Sequence, residues 1–413
     1  MAEIKRKQPE VLAPAGDLER LEAALLYGAD AVYLAGKAYG MRSASRNFDE
    51  DGLADAVRLA HERGRKVYVT CNTLPHNAEM DRLPAFLQAV QAAGADALIV
   101  CDLGVMAMAA RYAPDCRLHV STQFGVMNYQ TARTLWEYGA SRVVLARELP
   151  LEEIAVIREK TPPSLELECF VHGAMCASVS GRCFLSSYLA GRDANHGDCA
   201  QPCRWKYRLA PDSLPEHVLT AEEYAQGTYL FNAHDLCMIE QIPALVRAGV
   251  SSFKIEGRAK AAYYAAVTAN AYKSAVTAYM ASPDPDSYRV PAWIRRELDT
   301  ISHRPYGTGF FFGTPQQNTA FGGYIQHYEV AAVVEGWSEG RLFVSQRNYF
   351  QQGDALEVLE PGKTPVSLPA AELLDAGGEP IAAARHPKMA LSLYSDRAFL
   401  PGSFIRRRVP DEK

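Results

Sequence analysis

Four segments of the chain repeat one short pattern, in which a glycine ends a helical stretch and a strand-like run follows at once. The segments read YGADAVYL, AGADALIV, YGASRVVL and AGVSSFKI, and their glycines are Gly28, Gly94, Gly139 and Gly249. Glycine adopts the left-handed conformation that ends a helix, so the residues after it can enter a sheet directly. The pattern predicts repeated α–β units on a parallel sheet, with these glycines as helix caps rather than functional residues.

The candidate strands between and around these repeats are short and apolar, and helical stretches separate them. They are Val11–Ala13, Ala31–Leu34, Lys66–Cys71, Ala97–Cys101, Arg117–Thr122, Arg142–Ala146, Leu165–Val171 and Ser252–Ile255. Eight parallel strands that alternate with helices close into a TIM-type (β/α)8 barrel. We therefore predict an α/β fold with such a barrel over residues 1–285 and an insertion at about 172–250, between strands seven and eight.

Polar residues follow the predicted strands at the end where TIM-type barrels carry their active sites. We select Arg147, Glu148, His172 and Arg258 as candidate catalytic residues. The same rim is predicted to hold Pro14, Ala15, Gly16, Gly36, Asn72, Asp102, Gln123 and Glu256. Each residue alone could be a loop cap or a salt-bridge partner, but several polar groups at one rim favour a binding site.

The pattern changes twice after the predicted barrel. Prolines in SPDPDS break the helical pattern, and residues 286–325 are predicted to form a linker segment that packs on the barrel. From about residue 326, short alternating runs such as YEVAAVVEGW and GRLFVSQR are separated by turns that contain glycine and proline. This spacing predicts a small C-terminal β-barrel domain over residues 326–413.

Cysteines are concentrated in one part of the insertion. Five of the nine are Cys169, Cys176, Cys183, Cys199 and Cys203, and Cys237 follows them. Thiolates set among small residues can converge on an iron–sulfur centre or a metal ion. Disulfides are disfavoured because the amino terminus lacks the apolar segment of a secretory leader. Zinc sites usually contain closely spaced cysteine pairs, and here only Cys199 and Cys203 are close, so an iron–sulfur centre is favoured and zinc is the alternative.

The segment ECFVHGAMCASVSGRCFLS resembles the signature of peptidase family U32, historically described as collagenase-like. The fixed positions of that signature are matched by Glu168, Phe170, Gly173, Ala174, Met175, Cys176, Gly181, Cys183, Leu185 and Ser186. The continuation GRDANHGDCAQPCRWKY resembles the branch of the family that contains prephenate-dependent tRNA uridine 5-hydroxylases. The resemblance covers nearly the whole chain.

This resemblance implies an iron–sulfur-dependent RNA hydroxylase that forms 5-hydroxyuridine at the tRNA wobble position. It implies a 4Fe-4S cluster on Cys176, Cys183, Cys199 and Cys237, with Cys203 as the alternative to Cys199. Prephenate, a dicarboxylate, is the implied co-substrate, and Arg147 or Arg258 offers the planar fork that suits carboxylates. The implied partner is tRNA, and some members of the family act beside a paralogous U32 protein.

Basic and aromatic residues are interleaved around the cysteines. They are Arg182, Arg192, Arg204, Lys206 and Arg208, with Trp205 and Tyr207 between them. This composition matches the phosphate contacts and base stacking of an RNA site, and it equally matches a solvated basic loop with a buried aromatic pair. The run Arg406, Arg407 and Arg408 is likewise typical either of phosphate contacts or of a solvated edge.

Two other classes of function stay open: a U32 peptidase that acts on collagen-like chains, and a non-catalytic iron–sulfur or RNA-binding accessory protein. The sequence lacks HExxH and GxSxG, although His172 beside Cys176 or Cys183 could imitate a thiol-protease pair. A net charge of −5 is compatible with a local RNA site. We find no run of about twenty apolar residues, expect no membrane span, and predict a cytoplasmic protein.

Overall fold

A computed structural model of the chain describes residues 8–41, 47–176, 178–205, 232–318 and 323–409. The eight barrel strands are β1 (Glu10–Pro14), β2 (Ala31–Ala35), β3 (Lys66–Cys71), β4 (Ala97–Val100), β5 (Arg117–Val120), β6 (Ala140–Val144), β7 (Glu166–Gly173) and β9 (Ser252–Ile255). A short strand, β8 (Asp235–Cys237), lies between β7 and β9 in the sequence and is not part of the ring. Neighbouring barrel strands pair in parallel, and β9 closes the ring because it pairs with both β7 and β1. The predicted TIM-type barrel is confirmed.

Helices surround the barrel and connect its strands. They are α1 (Leu18–Leu26), α2 (Glu50–Glu62), α3 (Asn77–Met80), α4 (Leu83–Ala92), α5 (Leu103–Tyr112), α6 (Tyr129–Glu137), α7 (Leu151–Glu159), α8 (Leu185–Ala190), α9 (Ile242–Arg247), α10 (Ala262–Ala281) and α11 (Ala292–Leu298). The four repeat glycines each follow a helix with a positive φ, between 79° and 96°, so their predicted role as caps is confirmed. Among the described residues, no helix combines the length and apolar character needed to cross a membrane.

The insertion and the segment after the barrel both return to the barrel as short strands. Strand β8 pairs antiparallel with the end of β7, where His172 faces Cys237 and Gly173 faces Leu236. Strand β10 (Tyr306–Gly307) then pairs in parallel with β8. The sequence prediction missed both strands because runs of two or three residues are too short to show an alternating pattern. The insertion is therefore fixed to the rim at the end that carries Cys237.

A network of buried charges fills the interior of the barrel. The Glu168 carboxylate accepts hydrogen bonds from the Lys254 Nζ at 2.8 Å and from an Arg142 Nη1 at 2.9 Å. Arg142 also reaches Glu10 and Glu166, each at 2.7 Å. Burial alone would raise the pKa of Glu168, but Lys254 and Arg142 lower that pKa below its usual value, so the carboxylate is ionised. The network joins four consecutive strands of the ring, β6, β7, β9 and β1.

The C-terminal domain is a curled antiparallel sheet with a hydrophobic core of its own. Its strands are β11 (Tyr328–Ser338), β12 (Arg341–Gln346), β14 (Ala355–Leu359), β15 (Val366–Pro369), β16 (Leu374–Asp375), β18 (Ala390–Tyr394) and β19 (Phe404–Arg408), while β13 (Phe350–Gln351) pairs separately with β17 (Ala383–Ala384). The core contains Leu342, Val344 and Phe350. The prediction of a small β domain after the barrel is confirmed.

Arg406 on β19 joins this domain to the barrel helices. Its guanidinium forms a bidentate salt bridge with Glu297 on α11, at 2.6 and 2.8 Å, and also donates a hydrogen bond to the Tyr263 hydroxyl on α10 at 2.8 Å. Glu357 on β14 accepts from the same guanidinium at 2.9 Å. Arg406 is fully buried, so the prediction that it contacts RNA phosphates or lies on a solvated edge is wrong. Its neighbour Arg407 pairs with acidic residues of its own domain.

The buried pair predicts a large effect of a near-isosteric change. Glu297→Gln removes the charge that faces Arg406, and breaking a buried pair in this way lowers the free energy of unfolding by about 3–5 kcal/mol. Urea unfolding followed by circular dichroism measures the change. Arg58→Gln, which removes an exposed pair on α2, is the control and should leave the unfolding midpoint nearly unchanged. Equal midpoints for Glu297→Gln and the unmodified protein would contradict the structural role of the pair.

Candidate active site

A pocket opens at the carboxyl ends of the barrel strands. It is lined by Tyr33, Met41, Thr70, Asn72, Ile99, Ser121, Thr122, Gln123, Arg147, Phe170, Lys254, Glu256 and Arg258. Five of the predicted rim residues are in this set: Asn72, Gln123, Arg147, Glu256 and Arg258. Its charged side chains are three cations, Arg147, Lys254 and Arg258, and one carboxylate, Glu256. The pocket is therefore suited to an anionic ligand.

Arg147 connects the pocket to the cysteine segment. Its guanidinium lies 3.9 Å from the centroid of the Phe170 ring, and it pairs with Glu256 at 3.5 Å. The same guanidinium donates to the Ala174 carbonyl at 3.1 Å and lies 3.9 Å from the Cys176 sulfur. One side chain thus faces both the pocket and the first cysteine of the signature.

Arg258 follows β9 and is 4% exposed, although it lines the pocket. The loop after β1 passes directly over its backbone at Gly16. A Cβ atom at that position would lie 2.2 Å from the Arg258 carbonyl oxygen, which is too close for any other residue. Because Gly16 has no side chain, this loop can pack directly against the backbone of Arg258. From the sequence, Gly16 was predicted at the rim without this packing role.

Glu148 holds the cysteine segment rather than lining the pocket. Its carboxylate accepts hydrogen bonds from the Ser180 backbone N–H at 2.7 Å and from the Ser180 hydroxyl at 3.0 Å. The next residue, Gly181, has a φ of 73°, and a Cβ there would lie 2.0 Å from the Gln123 carbonyl oxygen. In the structure, Glu148 therefore anchors the cysteine segment through Ser180 and does not line the pocket. Asp102 is a helix cap, since it accepts from the Val105 N–H at 2.9 Å.

His172 points away from the pocket, into a cluster of tyrosines. Its ring lies 5.4 to 6.0 Å from the rings of Tyr264, Tyr272 and Tyr306. Alternation along β7 would put His172 on the same face as Phe170, but the pairing with β9 shifts by one residue between them and turns the histidine outward. Burial lowers the pKa of His172 to about 3, so it is a poor base at neutral pH.

Four cysteines of the insertion lie near one another. Burial raises the pKa of the Cys203 thiol, and the nearby thiols of Cys176, Cys199 and Cys183 raise it further. Arg204 holds this group against the signature segment, because it donates to the Met175 carbonyl at 2.9 Å. The structure therefore groups three of the predicted ligands with Cys203, the residue that the sequence offered as a reserve.

Cys237 occupies a different environment at the same rim. Burial raises its pKa to about 11, and the other groups that shift this pKa include Arg295 and Tyr272. Strand β8 nevertheless pairs Cys237 with His172 on β7, shortly before Cys176 in the sequence. Cys71, Cys101, Cys116 and Cys169 are buried, as expected for ordinary core thiols.

The outer surface of the insertion carries exposed aromatic side chains. Phe184 is 74% exposed, Tyr188 is 89% exposed and Trp205 is 42% exposed; we refer to these three as the insertion aromatic surface. Phe184 and Tyr188 were missed from the sequence because α8 is too short to reveal which of its faces is buried. Arg192 pairs with Asp198 at 2.6 Å, and Lys206, Tyr207 and Arg208 lie outside the described residues.

Comparison with characterised and named proteins finds relatives of similar length. The chain is 37% identical to tRNA hydroxylation protein P1 of Bacillus subtilis (strain 168) over 407 residues, which is 97% of this chain and 95% of that protein. It is 34% identical to tRNA hydroxylation protein P of Escherichia coli (strain K12), over 86% of each chain. It is 32% identical to a protein named collagenase of Porphyromonas gingivalis (strain ATCC BAA-308 / W83), over 74% of this chain and 73% of that protein.

Family models match both parts of the structure. The model for peptidase family U32 matches residues 16–320, which contain the barrel strands from β2 to β9, the pocket and all the cysteines. The model for the U32 C-terminal domain matches residues 326–406, which contain most of the curled sheet. The chain belongs to peptidase family U32.

Proposed function

We propose that this protein is an RNA hydroxylase that acts on tRNA and forms 5-hydroxyuridine at the wobble position. The observation that carries the proposal is Arg147, which contacts a cationic pocket on one side and the cysteine segment on the other. Relatives named as tRNA hydroxylation proteins align over most of the chain. A pocket for a small anionic co-substrate beside a cluster of thiols suits oxidative chemistry better than peptide hydrolysis.

We further propose that the thiols hold a 4Fe-4S cluster. Cys176, Cys183 and Cys199 supply three ligands, and Cys203 or Cys237 supplies the fourth. The thiols fit this group because Cys176, Cys183 and Cys199 lie near enough to Cys203 to raise its pKa, and thiolates are the usual ligands of iron–sulfur clusters. When bound, the cluster would supply one-electron redox chemistry next to the pocket. The Arg147 guanidinium beside Cys176 would help to set its reduction potential through an N–H to sulfur contact.

The co-substrate in this proposal is prephenate. Its two carboxylates match the forks of Arg147 and Arg258, which both line the pocket. Hydroxylation replaces the C5–H bond of uridine with a C5–O bond. The oxygen comes from the prephenate hydroxyl, and the two electrons and the hydrogen that leave uridine stay with the remainder of the donor. The barrel residues bind and orient the donor and keep bulk water from the buried end of the pocket.

We propose that tRNA binds over the insertion, with an unstacked base entering the mouth of the barrel. Sequence-specific RNA recognition commonly uses aromatic side chains that stack on splayed bases. The insertion aromatic surface offers such side chains beside exposed Arg182. Action beside a paralogous U32 protein is compatible with this arrangement. The protein named collagenase motivates the alternative peptidase function, which would persist in metal-free protein.

The cluster proposal predicts a specific loss of iron. Protein purified without oxygen should contain iron and sulfide in equal amounts and absorb visible light, and a Cys176→Ala/Cys183→Ala variant should lose both the iron and the colour. Cys203→Ser and Cys237→Ser, compared side by side, identify the fourth ligand, because only one of them should lose the cluster. Cys116→Ser is the control, since Cys116 is buried just before β5, at the end of the barrel away from the pocket. Full tRNA hydroxylation by a metal-free sample would contradict the proposal.

The carboxylate contacts predict a graded loss of activity at Arg258. Hydrogen bonds to a charged group are worth about 1.5–3 kcal/mol, so Arg258→Gln should lower kcat/KM for prephenate by roughly 10- to 100-fold. Arg258→Lys, which keeps the charge without the fork, should lose less. Mass spectrometry of tRNA nucleosides after reaction measures the product. Arg111→Gln, on the exposed face of α5, is the control. An unchanged dependence of the rate on prephenate concentration in Arg258→Gln would show that Arg258 does not bind prephenate.

The insertion aromatic surface predicts a loss of RNA affinity. Stacking of one base on an aromatic side chain is worth about 1–3 kcal/mol, so Tyr188→Ala should weaken tRNA binding by roughly 5-fold or more. Tyr138→Ala is a matched control, because Tyr138 is 66% exposed but ends α6 at the opposite end of the barrel. Filter binding with unmodified tRNA measures both. Equal losses in the two variants would show that the surface has no particular role.

A further inference from the structure

A second cluster of potential ligands lies between the barrel rim and the insertion, apart from the cysteines. His76 directly precedes α3, whereas Asp193 and His196 lie in the insertion beyond α8. One ligand atom from each of these three residues lies within 4.8 Å of the others. The two imidazole rings are stacked, with their centroids 5.1 Å apart. Two histidines and a carboxylate from separate segments thus converge on one point.

The hydrogen bonds of His196 determine which of its nitrogens can bind a cation. Its Nδ1 lies 3.2 Å from the Leu74 carbonyl oxygen, which can only accept, so Nδ1 carries the hydrogen. Its Nε2 lies 3.1 Å from a Glu79 carboxylate oxygen, which is also only an acceptor. A lone pair on Nε2 would then face a lone pair on Glu79. A cation between the two atoms would accept both lone pairs.

The surroundings favour a metal ion. One ion can accept a lone pair from each of the two stacked imidazoles. Glu79 is held in place because its other carboxylate oxygen accepts the His76 backbone N–H at 2.8 Å. The Asp193 carboxylate is fixed in the same way by the Asn195 N–H at 2.9 Å. A histidine that donates its second nitrogen to a backbone carbonyl is the usual arrangement around metal-binding imidazoles.

We propose that His76, Asp193 and His196 form a site for a divalent transition metal ion, best matched by zinc, with Glu79 as an available fourth ligand. Imidazole and carboxylate ligands suit zinc, whereas calcium and magnesium take oxygen ligands. Zinc binds such atoms at about 2.0–2.2 Å, so the side chains need only small movements to converge on one ion.

The ion would fix the cysteine-bearing insertion to the barrel. Asn195, between the two insertion ligands, donates to the Cys183 carbonyl at 3.1 Å. Gly197 packs against the loop after β2, where a Cβ would lie 2.8 Å from the Gly40 carbonyl oxygen. Zinc would therefore hold in place a segment that contacts the backbone of a proposed cluster ligand, while sharing no ligand with the cluster itself.

Zinc binding to the untagged, cluster-containing protein tests the site. After dialysis against a chelator, the protein should bind one zinc ion per chain in a calorimetric titration. His196→Ala and Asp193→Asn should each weaken binding by at least about 10-fold, the loss that even outer-shell changes can cause. His61→Ala is the control, since His61 pairs with Asp96 near the opposite end of the barrel. Cys176→Ala/Cys183→Ala should lose iron but still bind zinc.

Cobalt used in place of zinc separates the two possible ligand sets. Nitrogen and oxygen ligands give cobalt weak visible bands, whereas thiolates add strong near-ultraviolet charge-transfer bands. The site is supported if the cobalt spectrum lacks thiolate bands and is lost in His76→Ala. It is overturned if His196→Ala binds zinc as tightly as the unmodified protein, if no zinc binds, or if the bound metal disappears with the cysteines. Matching thermal unfolding of the variants in chelator shows that any loss of binding is not caused by misfolding.

Discussion

The ion pair between Glu168 and its two cationic partners inside the barrel determines the arrangement of the residues above it. An ionised carboxylate is stable there only because Lys254 and Arg142 neutralise it, so strands β6, β7 and β9 must keep one register. On the inward face of β7, Phe170 comes two residues after Glu168, and Glu256 comes two residues after Lys254 at the end of β9. Both Phe170 and Glu256 therefore line the pocket at the mouth of the barrel. Glu168 thus supports the pocket from below, through its contacts with Lys254 and Arg142.

Two different surfaces meet at the mouth of the barrel. The pocket is rigid and cationic, because its lining comes from strand ends that the interior network holds. The insertion is tied to that lining by a few specific contacts, those of Arg147, Glu148 and Arg204. In the function proposed above, this division would let the pocket hold a small donor while the insertion contacts the RNA.

Much of the fold could be predicted because the barrel repeats a local signal. The four helix–glycine–strand segments are each recognisable locally, and together with the eight predicted strands they indicate the topology. The failures have physical causes of a different kind. The arginine run at residues 406–408 reads the same whether it is solvated or buried against Glu297. His172 was selected for the pocket because it follows the predicted seventh strand. The one-residue shift in β7 turns it away from the pocket, and the sequence does not reveal that shift. The grouping of Cys203 with the signature cysteines depends on how the insertion folds back, which no local pattern encodes.

Helix α10 lies between the barrel and the C-terminal domain, and both are needed to cover it. Asn270 on this helix accepts the Gly362 N–H, and the Tyr27 hydroxyl bridges the Leu359 carbonyl and the Phe404 N–H. During synthesis, the ribosome completes α10 long before it releases β19. The barrel helices therefore cannot be fully covered until the C-terminal sheet has been synthesised. The last strand of the chain thus completes the packing of a helix that was made well before it.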